Sequence, residues 1–169
     1  IKPYNLDRQR IEQWIYEPGV PANHAVTKSD AFVKVDQQRE AWLSGKRLAT
    51  QLNTTDWTVH QWLHFLNNMP KQLTAAQLTA LDKTFKLTQS SNNEIAHSWL
   101  LIAVKNQYKP AYPRLEQYLL SIGRNKLVKP LYKALSETEE GKQFGKRVFD
   151  VAKHGYHPLT VKANEKFFE

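Results

Sequence analysis

Two histidines four positions apart, in His60-Gln61-Trp62-Leu63-His64, have the spacing that sets two imidazoles on one helix face, as in His-Glu-x-x-His metal sites. Gln61 stands where that chemistry needs a carboxylate to take a proton from metal-bound water, and an amide cannot accept it. The apolar positions Val59, Trp62, Leu63 and Leu66 predict a buried stripe that turns His60 and His64 toward solvent. His154 and His157 bracket Gly155-Tyr156 ahead of Pro158, with no carboxylate beside them to complete a ligand set, and read as turn and packing residues. Residues 141–146, Gly-Lys-Gln-Phe-Gly-Lys, fall one residue short of a phosphate-binding loop and run into Arg147, which reads as a polar helix face. Neither a Gly-x-Ser-x-Gly elbow nor a Gly-x-Gly-x-x-Gly fingerprint occurs. With no cysteine in the chain, thiol nucleophiles, disulfides, iron–sulfur clusters and cysteine-ligated zinc are excluded. These residues predict no catalytic group and no metal ligand in this chain.

The remaining chemistry is cationic. Lys and Arg number 24 against 16 Asp and Glu, a net charge of +8, and they cluster at Lys46-Arg47, from Arg124 to Lys133 and from Lys142 to Arg147. Most recur at helical spacing beside Glu137, Glu139, Glu140 and Asp150, the pattern of a solvated surface. Nucleic-acid binding is therefore not the expectation, although a basic helical scaffold for RNA or an acidic protein is the alternative. Arg124-Asn125-Lys126 differs, because it lies between the glycine at 123 and the apolar run from Leu127. On a regular helix two such residues diverge by about 200°. At a helix start both can converge on one anion, helped by free backbone N–H groups. Cations at that end oppose the helix dipole, which hints at a task. By spacing alone two readings stand, two more surface cations or a site for one anion, and the first is the plainer.

The elements that must position these groups are helical nearly throughout, with prolines and glycines between apolar periods of about 3.6 residues. A first helix is expected from Asp7, with Ile11, Trp14 and Ile15 on one face, ended by Pro18-Gly19-Val20-Pro21 and followed by a linker to Lys28. Ser29 or Asp30 should cap a second, carrying Phe32, Val35, Trp42 and Leu43 and stopping near 48–52. Thr55-Asp56 should cap the histidine-bearing helix, and Thr74 the next, with Leu78, Leu81 and Phe85 inward. Ser91 with Glu94 three residues on forms a capping box ahead of Ile95, Trp99, Ile102 and Ala103. Pro110 and Pro113 open a helix with Leu115, Leu119 and Ile122, and Gly123 is expected as its left-handed cap. Leu127, Leu131 and Leu135 follow, with Pro130 predicting a kink or a late start. The last helix runs from about Glu137 to Lys153 with Phe144, Val148 and Val151, before Gly155 and Pro158 break it. Seven or eight helices joined by short turns predict an all-α fold of stacked antiparallel hairpins, an irregular superhelix with no fixed repeat.

At 169 residues the chain suits one domain that buries roughly 70% of its unfolded surface. Its longest apolar run, Trp99 to Val104, is far short of a membrane span. It opens at Ile1 with neither an initiator Met nor a basic-then-apolar leader, and so reads as a piece of a larger protein.

Read together and in order, these stretches carry a likeness. Trp14-Ile15-Tyr16-Glu17-Pro18-Gly19-Val20-Pro21, Ser91-Asn92-Asn93-Glu94-Ile95 with Trp99-Leu100, Gly123-Arg124-Asn125-Lys126, Lys129-Pro130-Leu131-Tyr132-Lys133 and His157-Pro158-Leu159-Thr160 resemble the C-terminal helical domain of the leukotriene A-4 hydrolase and zinc aminopeptidase family, in the manner of its bacterial members. The resemblance implies a solenoid-like lobe, residues 29–169, that packs on a zinc-peptidase domain and walls its cleft. Residues 1–28 would be the lead-in helix and linker from that other domain, which would hold the zinc. It further implies that Arg124 and Lys126 hold the carboxylate of a peptide substrate, since the family places an Arg and a Lys two residues apart there. No cofactor and no activity are expected of this chain by itself, and its expected setting is cytoplasmic.

Overall fold

The computed structural model describes residues 8–21 and 29–169, and wherever these are regular they are helical. The expected helix start at Asp7 and linker residues 22–28 lie outside the described residues. The chain divides into two compact units, Ile1–Asp30 and Ala31–Glu169. In the first, helix α1 (Arg8–Tyr16) stops ahead of Pro18, and Gly19 takes a φ of +94° that a side chain would resist. On α1, Trp14 is 55% and Ile15 63% exposed.

The second unit contains α2 (Ala31–Leu43), α3 (Val59–Asn67), α4 (Ala75–Phe85), α5 (Asn93–Lys105), α6 (Tyr112–Ser121), α7 (Asn125–Leu135), α8 (Glu139–Ala152) and α9 (Pro158–Asn164). Single 3₁₀ turns fall at Ala49–Gln51, Leu87–Gln89, Lys109–Ala111, Lys153–Gly155 and Glu165–Phe167. Alternate helices pack on one another: α3 on α5, α5 on α7 and α7 on α9 form one row, and α6 on α8 belongs to a second. That alternation is what successive stacked hairpins produce. The all-helical expectation holds. Trp99, Tyr118, Tyr132 and Phe65 are fully buried between the rows. Their polar atoms are satisfied from neighbouring segments, as burial requires. Trp99 Nε1 donates to Thr88 Oγ1 at 2.8 Å, whose hydroxyl donates to Asp82 at 2.7 Å. Tyr156 donates to the Leu119 carbonyl and pairs with the Tyr132 hydroxyl at 3.0 Å.

Several boundaries differ from expectation, for local reasons. Helix α2 stops at Leu43, because Gly45 adopts a φ of +74° and its N–H returns to the Trp42 carbonyl at 3.0 Å. The cap of α3 is Thr58, not Thr55 or Asp56: its hydroxyl accepts from Gln61 N–H, and the Gln61 side-chain oxygen accepts from Thr58 N–H at 3.0 Å. Thr74 and Gln77 make the same box at α4, as expected for Thr74. The cap of α5 is Asn92, one residue later than Ser91, with its side-chain oxygen Oδ1 accepting from the Glu94 and Ile95 N–H groups at 3.0 and 3.1 Å. Gly123 is not left-handed; α6 ends on an extended Ile122, and the Gly123 carbonyl accepts from the Thr160 hydroxyl at 3.3 Å. Pro130 lies inside α7, which begins five residues before it, so no late start occurs. In α8, Phe149 turns inward and Val151 is 62% exposed. The segment from Pro158 is a helix, α9, because proline at the first helical position gives up only an N–H that would have no partner there.

A cationic corner at two helix starts

Asn92 caps α5 through its own side chain, which puts Glu94 in the first turn, where a negative charge complements the helix dipole. Helix α7 starts from Arg124, whose backbone is extended (φ −74°, ψ 112°) and whose side chain takes no part in capping. Because Arg124 lies outside the helical turn and Lys126 within it, the two side chains escape the divergence of a regular helix. They meet over Glu94: Arg124 Nη1 and Lys126 Nζ stand 3.8 and 3.9 Å from the same Oε1. Those separations exceed a charge-assisted hydrogen bond of about 2.8 Å, so neither cation spends a donor on the carboxylate. Both are about two-thirds exposed, and Glu94 about one-third.

Behind this corner lie His97 and Tyr118. Burial pushes His97 below its ordinary 6.5, helped by the charge of Lys126 and opposed by the Leu127 backbone and Glu94. Its Nδ1 is buried with no hydrogen-bond partner. Burial, with the charge of Glu94, pushes Tyr118 up to about 12, and its hydroxyl donates to the Asn93 carbonyl at 2.9 Å. Both are neutral at pH 7, which leaves Arg124, Lys126 and Glu94 as the charges that meet there.

Elsewhere the cations pair across or along helices. Arg147 forks onto Glu116 at 2.7 and 2.9 Å, Lys109 meets Glu140 at 2.5 Å, and Lys146 and Lys153 share Asp150. His60 is exposed, as expected, but His64 is not turned to solvent. It stacks flat on Phe32 at 4.3 Å, donates from Nε2 to Asp36 at 2.9 Å, and faces Asn68 through Nδ1. The buried face of α3 is Phe65 and Leu66, whereas Val59 is 37% exposed. With both His64 nitrogens engaged within the fold, the pair does not suit a metal. Among the described residues no group of three or more His, Asp or Glu is placed to hold one. His157 Nδ1 accepts from Leu159 N–H as the cap of α9, and His154 is exposed in the preceding turn. Gly141 and Gly145 are buried in α8, so the 141–146 segment is only partly the polar face expected of it. The residue that sequence reasoning missed is Glu94, assigned there to a cap; an adjacent Asn-Asn pair offering two further caps was the available signal.

The fold and this corner define an all-helical stacked domain whose distinctive chemistry is a cation pair at the start of a helix. Residues 57–168 match the family described as leukotriene A4 hydrolase, C-terminal, and the chain belongs to that family. It is similar to leucine aminopeptidase 2 of Neurospora crassa, 29% identical over 130 residues that cover 75% of this chain and 19% of the relative. To leucine aminopeptidase 2 of Pyricularia oryzae it is 28% identical over 154 residues, 89% of this chain and 25% of that one. The chain thus spans about a fifth to a quarter of these relatives' length. Yeast LTA4 hydrolase, solved in complex with Bestatin, shares the fold with a TM-score of 0.65 at 21% identity, over 94% of this chain and 29% of that one. No helix of the described residues is long and apolar enough to cross a membrane.

Proposed function

We propose that this chain is the C-terminal lobe of a zinc aminopeptidase, in which residues 29–169 wall the substrate cleft and the segment before them leads in from the catalytic part. Arg124 and Lys126 hold the carboxylate of the peptide. The observation that carries this reading is the convergence of the two cations on one point with their donors unspent. Arg supplies a planar fork that matches a carboxylate, and Lys a point charge with three rotatable donors. Holding the far end of a peptide adds binding energy remote from the scissile bond, which orients that bond and lowers the entropic part of the barrier. The zinc of the parent enzyme, bound outside this chain, would supply an activated water and a polarised carbonyl.

In the full-length enzyme, Arg124→Ala should lower kcat/KM about tenfold or more for peptides with a free C-terminal carboxylate, the size of a lost hydrogen bond to a charged group. Small aminoacyl amides lack that carboxylate and should lose little. Equal losses on both substrates would remove the anchor. Micromolar binding of single-stranded RNA that falls steeply with salt would instead support the basic-scaffold reading.

A further inference from the structure

The cation pair is not alone, and its third member sets the charge of the corner. Glu94 presents one oxygen to both cations at nearly equal distance, too far to tie up their donors and close enough to act on their field. Its place is fixed from behind, since its own N–H is held by the Asn92 side chain at 3.0 Å. His97 and Tyr118 add no charge at pH 7, and Arg114, which keeps its own charge, is directed away from the pair, donating to the Ser90 carbonyl at 3.4 Å and lying over the Tyr118 ring at 6.0 Å. The three groups that meet directly, Arg124, Lys126 and Glu94, carry two positive charges and one negative, a local balance of +1 that a single carboxylate neutralises. A second carboxylate on the same ligand would meet Glu94 with nothing left to offset it.

We propose that Glu94 is a specificity-determining residue, a counter-charge that tunes Arg124 and Lys126 to ligands carrying one carboxylate and rejects those carrying two. The inference rests on the anchor reading of Arg124 and Lys126. It implies that peptides ending in Asp or Glu, which bring a second carboxylate to this end, are disfavoured.

The test is a pair of NMR titrations of this chain at pH 7 and constant ionic strength, with acetate as the monoanion and malonate as the dianion, read at the amides of residues 124–127. In the unaltered chain malonate should bind more weakly than acetate. Glu94→Gln should tighten malonate about tenfold relative to acetate, the effect of one charge removed at about 4 Å in a partly exposed site. Glu94→Ala should do the same, so a folding defect peculiar to one variant, checked by its circular dichroism, does not decide the outcome. A malonate-to-acetate ratio unchanged in both variants overturns the proposal, because a purely structural Glu94 would shift both ligands alike. If the double variant Arg124→Ala, Lys126→Ala binds acetate as well as the unaltered chain does, the anchor itself falls, and the role of Glu94 with it.

Discussion

Gln61 and His64 show how a single side chain can be read by type and misread by direction. The amide at 61 rules out the proton chemistry of a metal peptidase helix, and the structure gives it another use, closing the cap with Thr58. His64 shares the motif's spacing yet joins α3 to α2 through Asp36, which also pairs with Arg39. The slight burial of Asp36 works to raise its pKa, and the Arg39 and His64 hydrogen bonds and charges outweigh it, leaving the carboxyl below its ordinary 3.8. A depressed folded pKa contributes stability above the unfolded value and loses it as the pH falls through the folded one. Asp36→Asn should therefore unfold at a lower temperature than the unaltered chain at pH 6, and the gap should close as the pH falls through the lowered pKa of the carboxyl. A gap that persists at pH 2 would show that the pair contributes through packing and not through charge. Arg124 and Lys126 were legible as a pair that could converge, because their types and spacing are local facts. Glu94 was not, since its pairing is made between residues 30 positions apart in the chain.

Helix ends tested the sequence more severely than helix interiors. Thr74, Gly45 and Pro158 obey local stereochemistry, but where several residues could cap, as at Ser91-Asn92 or Thr55 to Thr58, packing chose among them. Thr58→Ala removes the acceptor for Gln61 N–H and should cost about 1 kcal/mol, read from chemical denaturation with an unchanged m-value. Gly141 is a sharper case. A Cβ there would overlap the Leu135 carbonyl and come within 2.7 Å of Thr138 Oγ1, where α8 begins close against the end of α7. Gly141→Ala should destabilise the domain by about 1 to 3 kcal/mol although alanine is the better helix former. An unchanged or raised stability would mean that the two helix ends can separate without loss.

For the molecule as a whole, stability comes from joining the rows of helices, and Tyr156 is one of the joints. It donates to the Leu119 carbonyl at the end of α6 and meets the Tyr132 hydroxyl on α7. Tyr156→Phe leaves both unpaired in a buried place and should cost about 1 to 3 kcal/mol. The thermal midpoint should fall by roughly 2 to 4 °C for each of those kcal/mol, and a loss under 1 °C would argue that the link contributes nothing. At this scale the proposed division of labour also predicts that the chain with added zinc hydrolyses no aminoacyl amide. Turnover by a rigorously purified sample would overturn it.

The sequence alone determined the helical class, most helix interiors and the cation pair at 124 and 126. Apolar periodicity, proline and glycine placement and residue charge are properties of neighbours along the chain. Only the tertiary structure decided that His64 is engaged, that α9 exists beyond Pro158, and that Glu94 sits between two cations. Each of those depends on which distant segment a side chain meets, and that is settled by packing between helices, on which local spacing is silent.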